Sequence, residues 1–373
     1  MKFSRTPALV GLFAVTALGL AACGSDNNAA TGTTTDAASA SVDCSGAETL
    51  SGAGSSAQKN AMDQFTTAYI AACQSQGTNV NVAYTASGSG DGRTQFVANQ
   101  IDFAGSDSAM KSDQLAEAGQ RCDAGEAWNL PLVFGPVAIA YNLDGVEGLV
   151  LDAPTLAKIF GGEIANWNDP AIAALNSGVS LPDQKIDVVY RSDSSGTTDN
   201  FQTYLGTAAK AEWTKGAGSD FVGGVGNGSK GSAGVAQAVG TAAGSITYVE
   251  QSFADQSGLQ VAKIHNGNSV VELNSASAAK AIEGAEFLEP GTNNLALDLT
   301  SIYGTSEEGA YPLVLATYEV VCGKGYDAQK ATAVKSFLTV AANQGQQGLA
   351  ELGYVPLPDA MKTTLLDAIT AIS

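Results

Sequence analysis

The chain has 373 residues, 45% of them hydrophobic and only 15% charged, a globular composition long enough for two domains of ordinary size. Setting aside the first 22 residues leaves 351, with 16 of the 18 basic and all 37 acidic side chains, a net charge of −21. That balance excludes nucleic acid as a partner, because phosphodiester binding draws on clustered Lys and Arg.

The first 22 residues read as a signal peptide. Lys2 and Arg5 precede an apolar stretch from Ala8 to Leu20, shorter than the roughly 20 residues that a membrane span needs. Leu20-Ala21-Ala22-Cys23 matches the pattern at which bacterial lipoproteins are diacylated and cut, so Cys23 is expected to carry lipid. Each buried lipid methylene contributes about 0.8 kcal/mol, and two or three chains give durable anchoring. Residues 23–43 are small and polar, without an aromatic side chain, and read as a flexible tether spanning about 25 Å. The folded part is therefore expected outside the cytoplasm, anchored to the cell membrane.

Four further cysteines, Cys44, Cys73, Cys122 and Cys322, then sit in an oxidising compartment, where an even number suggests two disulfides with three possible connectivities. Cys73 ends the first helix and Cys122 follows a helix of the same lobe, while Cys44 and Cys322 flank the first and the returning strand. This favours Cys73 with Cys122 and Cys44 with Cys322. No C-x-x-C spacing argues for a metal, and His265, the one histidine, is expected to have no catalytic role.

Along the chain, strands and helices alternate. Glu48–Gly52 is a strand that runs into Ser55-Ser56 and a helix marked by Ala57, Ala61, Met62, Phe65 and Tyr69, capped by one of the two serines. Val80–Tyr84 leads into Ser87-Gly88-Ser89-Gly90-Asp91-Gly92 and a helix through Phe96 and Val97; Asp102–Ala104 opens onto Ser106-Asp107. Leu130–Tyr141 is an apolar run long enough to cross between two sheets, and Tyr311–Val321 suits the return. Between them, Pro154 starts a helix, Ile186–Tyr190 is a strand entering Arg191-Ser192-Asp193-Ser194-Ser195-Gly196-Thr197-Thr198, Phe201 and Leu205 continue as a helix, and Ile246–Val249 is a strand after the Gly-rich residues 216–234. Asp327 caps an amphipathic helix, and Thr363–Ile372 is the last. Such alternation predicts an α/β fold with mostly parallel sheets in two lobes. Lobe one is drawn from residues 44–135 and 311–373, and lobe two from 136–310.

Three of these strands end in Ser and Gly just before a helix. Ligands of α/β proteins collect at the carboxyl ends of strands, where helix N-termini present unpaired N–H groups to anions. Small hydroxyl side chains, bare N–H groups and Arg191 together suit a compact tetrahedral oxyanion.

These three loops, Gly52-Ala53-Gly54-Ser55-Ser56, Ser87 to Gly92 and Arg191 to Thr198, together with the segment Asp102 to Asp107, resemble the signatures of the phosphate-binding proteins of Pst-type ABC transporters. Residues 151–169, with Ile-Phe-Gly-Gly and Asn-Trp-Asn-Asp, and Gly353 to Lys362 agree in order and spacing. The resemblance implies a two-lobed periplasmic-binding-protein-like fold of type II with a hinged cleft. It further implies one inorganic phosphate as ligand, transmembrane permease subunits as partners, and a monomer with neither cofactor nor metal. Carried over by position, it assigns phosphate contacts to Ser56, the Ala57 amide, Ser89, Asp107, Arg191, Ser195, Gly196 and Thr197, with Asp193 holding the fork of Arg191. Ala57 stands where the family usually has Phe, and Asp91 is a departure expected to face solvent.

Asp107 also follows from chemistry. A carboxylate accepts a hydrogen bond from the P–OH of HPO₄²⁻ or H₂PO₄⁻ and repels sulfate, which has no proton near neutral pH. The remaining readings are a binder of sulfate or molybdate, or a surface protein on the same fold without ligand. A hydrolase is disfavoured because G-x-S-x-G, H-E-x-x-H and the Walker pattern are absent.

Overall fold

The computed structural model describes residues 42–123 and 125–373. The expected signal peptide, Cys23 and the tether as far as Ser41 lie outside the described residues.

A strand, a Ser/Gly loop and a helix recur three times at the start. β1 (Thr49–Gly54), β2 (Asn81–Thr85) and β3 (Phe103–Ser106) are followed by α1 (Lys59–Gln74), α2 (Ser89–Val97) and α3 (Ser112–Arg121). β1 lies between β2 and β3 and runs parallel to both. On α1 the residues Ala61, Met62, Phe65, Tyr69 and Cys73 are buried, as their helical spacing predicts. The side-chain oxygen of Ser55, not Ser56, accepts from the N–H groups of Ala57 (3.1 Å) and Gln58 (3.4 Å) in the turn before that helix.

β4 (Ala127–Asn142) then crosses to a second lobe, which contains α4 (Ala153–Gly161), β5 (Asp187–Arg191), α5 (Gly196–Ala208), β6 (Asn227–Ser229), α6 (Gly231–Thr241) and β7 (Ser245–Glu250). β8 (Val314–Cys322) returns, followed by α7 (Ala328–Ala342) and α8 (Asp359–Thr370). Among the described residues the strands order β2-β1-β3-β8-β4-β7-β5-β6, with Gln260–Val261 beside β4. Residues 127–136 of β4 pair with β8, and residues 137–142 pair with β7. The change of partner falls at Pro136, which has no N–H to give either ladder.

Three expectations change. The sheet is mixed rather than mostly parallel, because β8 is antiparallel to β3 and β4, and β4 to β7. The chain passes between the lobes on extended strands, and a path out and back on such strands runs in opposite directions. Secondly, the Gly-rich residues 216–234 contain β6 and the start of α6, whose Ser232, Val235, Ala236 and Val239 are buried. Lys230 at its N-terminus makes no side-chain cap, so the helix carries no start signal.

Thirdly, the disulfides are Cys44–Cys73 and Cys122–Cys322, with Cα separations of 5.6 and 5.3 Å, not Cys73–Cys122 and Cys44–Cys322. The sheet of lobe one separates two cores. Cys44 and Cys73 lie with Phe65 and Phe337 on the α1 and α7 side. Cys122 and Cys322 lie with Phe96, Ala118 and Val320 on the α2 and α3 side. A Cys73–Cys122 bond would have to pass through the sheet, whereas each observed bond joins neighbours within one core.

Candidate functional site

The loops after β1, β2, β3, β5 and β6 converge where the two lobes meet. At the centre is Asp107, 1% exposed, at the end of β3. Its Oδ1 accepts from the hydroxyls of Ser55 and, at 2.9 Å, Thr317 of β8. Its Oδ2 accepts longer contacts from Ser89 (3.4 Å) and, across the cleft, Thr197 (3.3 Å). Burial pushes the carboxyl above its ordinary value, outweighing the hydroxyls and the charge of Arg191, which act the other way.

Arg191 ends β5 and is 2% exposed. Its Nε and Nη2 donate to the two oxygens of Asp193 at 2.8 and 2.5 Å, a bidentate pair that fixes the guanidinium plane. Nη1 remains turned toward Thr197 Oγ1 and Ser232 Oγ, both at 3.4 Å. Burial pushes Asp193 upward, but the hydrogen bonds and charge of Arg191 and the Gly231 N–H hold it below the ordinary carboxylate value. The structure thus brings Asp193 to Arg191.

Ser195 caps α5, its hydroxyl oxygen accepting from the Thr198 N–H at 3.2 Å. Gly196, the first residue of that helix, packs so closely that a Cβ there would sit 2.6 Å from Ser89 Oγ and 2.7 Å from Asp107 Cβ. Gly88, with φ of +110°, leaves room in the same way for Asp193 and the Ser194 carbonyl. The lobes touch here: the Gly90 N–H donates to the Ser194 carbonyl at 3.0 Å, and Ser108 Oγ to Asp199 at 2.7 Å. Ala57 is buried, with its N–H on Ser55 Oγ. Asp91 is exposed and accepts from Gln95, pointing away from the cleft.

Four residues of this cluster are missed by sequence reasoning. Ser55 holds Asp107, a role its place in a Ser-Ser pair does not reveal. Thr317 is one residue of an apolar strand more than 200 positions from Asp107. Ser232 receives no signal inside the Gly-rich segment, yet its N–H donates to Ser56 Oγ and the two hydroxyls lie 3.0 Å apart. Arg93 is a second buried cation behind the cluster, donating to Ser106 Oγ at 2.7 Å and, from the other lobe, Ser219 Oγ at 3.1 Å. The arrangement gathers hydroxyls, a clamped guanidinium and the Asp107 carboxyl at one place between the strand ends. Among the described residues no cluster of His, Cys, Asp and Glu is arranged to hold a metal ion.

Residues 28–344 match the PBP superfamily domain. Phosphate-binding protein PstS 3 of Mycobacterium leprae (strain TN) is 50% identical over the whole length of both chains. The chain belongs to the PBP superfamily, among the PstS proteins. PstS of Xylella fastidiosa (strain Temecula1 / ATCC 700964), also named a phosphate-binding protein, is 36% identical over 90% of this chain and 89% of its own. Solved structures share the two-lobed fold of the family. The phosphate-bound periplasmic protein PfluDING aligns with a TM-score of 0.68 at 23% identity, over 85% of this chain and 92% of its own. A phosphate-binding protein from Stenotrophomonas maltophilia gives 0.65 at 21% identity, over 86% and 94%.

Proposed function

We propose that this PstS protein binds inorganic phosphate outside the cytoplasm and delivers it to the permease subunits of an ABC transporter. It does so as a monomer held at the membrane by lipidated Cys23. The observation that carries the reading is the unequal treatment of the two oxygens of Asp107. Oδ1 is held by Ser55 and Thr317, which fixes the carboxylate. Oδ2 meets only Ser89 and Thr197, at the long end of hydrogen bonding, and both are among the expected ligand residues.

An arriving phosphate takes those two hydroxyls as donors, and the freed Oδ2 accepts the P–OH proton in exchange. Sulfate takes the hydroxyls but has no proton for Oδ2, so a buried carboxylate is left facing an anion. The free edge of Arg191 supplies positive charge, and Ser56, the Ala57 amide, Ser195, Gly196 and Thr197 complete the donors. Ser55, Thr317 and Ser232 position them. The change of pairing at Pro136 supports a lobe boundary near residues 135 and 311, so that closure brings ligand groups from both lobes together. The net charge of −21 acts mainly on encounter, since screening over about 8 Å leaves the contact dipoles of the cleft to set affinity.

Calorimetric titration at neutral pH with phosphate, sulfate and molybdate tests the proposal. Saturable phosphate binding without a sulfate or molybdate response is expected. Equal binding of sulfate, or no binding of any of the three, would remove it in favour of another oxyanion or a surface protein without ligand.

A further inference from the structure

Behind the candidate site lies a carboxyl with no part in the scheme above. Glu319, on β8, is fully buried, and neither of its side-chain oxygens has a hydrogen-bond partner in the protein. It pairs across the sheet with Gly105, two residues before Asp107. Directly paired residues of antiparallel strands project to the same face. On that face a Cβ at Gly105 would be 1.9 Å from Gln58 Nε2 and 2.3 Å from the Tyr84 hydroxyl. Glu319 therefore projects toward Gln58 and Tyr84, on the same side of β8 as Thr317, which holds Asp107.

One amide hydrogen of Gln58 and the Tyr84 hydroxyl are already committed, which leaves a single amide hydrogen as donor in this cluster. Gln58 Nε2 donates to the Tyr84 hydroxyl at 3.0 Å, and Tyr84 donates to the Ser55 carbonyl at 2.8 Å. The Gln58 oxygen Oε1, by contrast, is a buried acceptor without a protein donor. An ionised Glu319 would add two more acceptors to a place short of donors, at the cost of an unpaired buried charge. A protonated Glu319 has one O–H to give, and the orphaned Gln58 oxygen is the neighbouring group able to take it.

We propose that Glu319 is a positioning residue acting in its uncharged form: its O–H completes a chain through Gln58 and Tyr84 to the Ser55 carbonyl, and loss of that proton weakens anion binding. The inference rests on the phosphate reading above and adds a regulation to it. Ser55 is the end of the chain, and its hydroxyl orients Asp107. Ionisation of Glu319 would draw the Gln58 amide toward its carboxylate, straining the bond from Gln58 to Tyr84, and set a negative charge behind Asp107 and the ligand.

Burial pushes Glu319 up to about 8, opposed by Gln58 and assisted by the charge of Asp107. The uncharged form thus prevails at neutral pH and is lost as pH rises through about 8. The other titratable groups facing it leave that window clear. Tyr84, from β2, is pushed well above its ordinary value by burial and stays uncharged there, and burial raises Asp107 as well, against its hydroxyl partners and Arg191. Leu130, its partner on β4, is apolar. Phosphate itself keeps its last proton until strongly alkaline solution.

The test is calorimetry with inorganic phosphate from pH 7 to 10 on the wild-type protein and on Glu319→Gln, whose amide can still donate to Gln58. Wild-type affinity should fall above pH 8 by up to about tenfold per pH unit, the limit for one linked proton. By reciprocity, wild-type binding near pH 8.5 should take up protons, read as a heat that depends on the buffer's ionisation enthalpy. The variant should match wild type at pH 7 while losing both the alkaline fall and the proton uptake. An alkaline fall that persists in Glu319→Gln, or a flat wild-type profile, would overturn the role of Glu319. If the variant does not fold, absence of proton uptake by wild type alone overturns it. Failure of wild type to bind phosphate at pH 7 would instead remove the phosphate reading.

Discussion

On the proposed reading, Asp107 is the residue on which selectivity turns. Replacing it by Asn keeps the shape and the Ser55 and Thr317 contacts at one oxygen, and can turn an amide donor toward the ligand in place of the acceptor at the other. The expected outcome of Asp107→Asn is measurable sulfate binding together with a modest loss of phosphate affinity. That loss should be smaller than in Arg191→Ala, where a charge-assisted contact worth about 1.5 to 3 kcal/mol goes and a buried Asp193 is left unpaired. Competition calorimetry in low-chloride buffer checks both. A folded Asp107→Asn variant that binds phosphate and ignores millimolar sulfate would place selectivity elsewhere. The expectation of an acceptor at Asp107 could be drawn from the sequence because it follows from the chemistry of one side chain. The identities of its supports were not, since Ser55 and Thr317 become neighbours only when β1, β3 and β8 align.

At the scale of elements, the disulfides mark how the two faces of the lobe-one sheet are finished. Cys44–Cys73 ties the first described residues to the end of α1, closing 29 positions, and Cys122–Cys322 ties the end of α3 to the end of β8, closing 200. In the chain-entropy account the longer loop contributes about 5 kcal/mol and the shorter about 3.5 kcal/mol. Replacing Cys122 and Cys322 together by Ser should therefore lower the unfolding free energy more than the same change at Cys44 and Cys73. Phosphate affinity of the folded variants should be unchanged, because neither bond touches the cleft. Chemical denaturation checks the order, and a non-reduced digest linking Cys73 to Cys122 would refute the pairing itself. Spacing along the chain misleads here because α1 and α3 follow strands of one sheet yet pack on opposite faces.

For the whole molecule, the cross-cleft contacts describe a closed arrangement. Ser56 meets Ser232, Gly90 meets Ser194, Ser108 meets Asp199, and Arg93 reaches Ser219. Two of these pairs are neutral, at about 1 kcal/mol per hydrogen bond, and two involve a charged side chain, a modest sum that a ligand binding both lobes should add to, shifting the population toward closure. Small-angle scattering should show a radius of gyration that falls on adding phosphate, toward the roughly 20 Å of a compact chain of this length. No change at saturation, in a protein whose ligand-free radius exceeds that value, would count against hinge closure.

What the sequence determined by itself is local. Strand-to-helix turns rich in Ser and Gly, the helical spacing on α1, the Asp327 cap and the apolar crossing runs are all decided by neighbours a few positions away. From them came the α/β class, the two-lobed outline and the expectation of an oxyanion in the cleft. Only the tertiary structure decided strand direction across β4 and β8, the pairing of the cysteines, the entry of Ser232 and Thr317 into the cluster, and the burial of Glu319. Each of these depends on contacts between residues tens to hundreds of positions apart. Such contacts leave no periodicity in the chain, because either partner alone is an ordinary strand, loop or helix residue until the sheet brings them together.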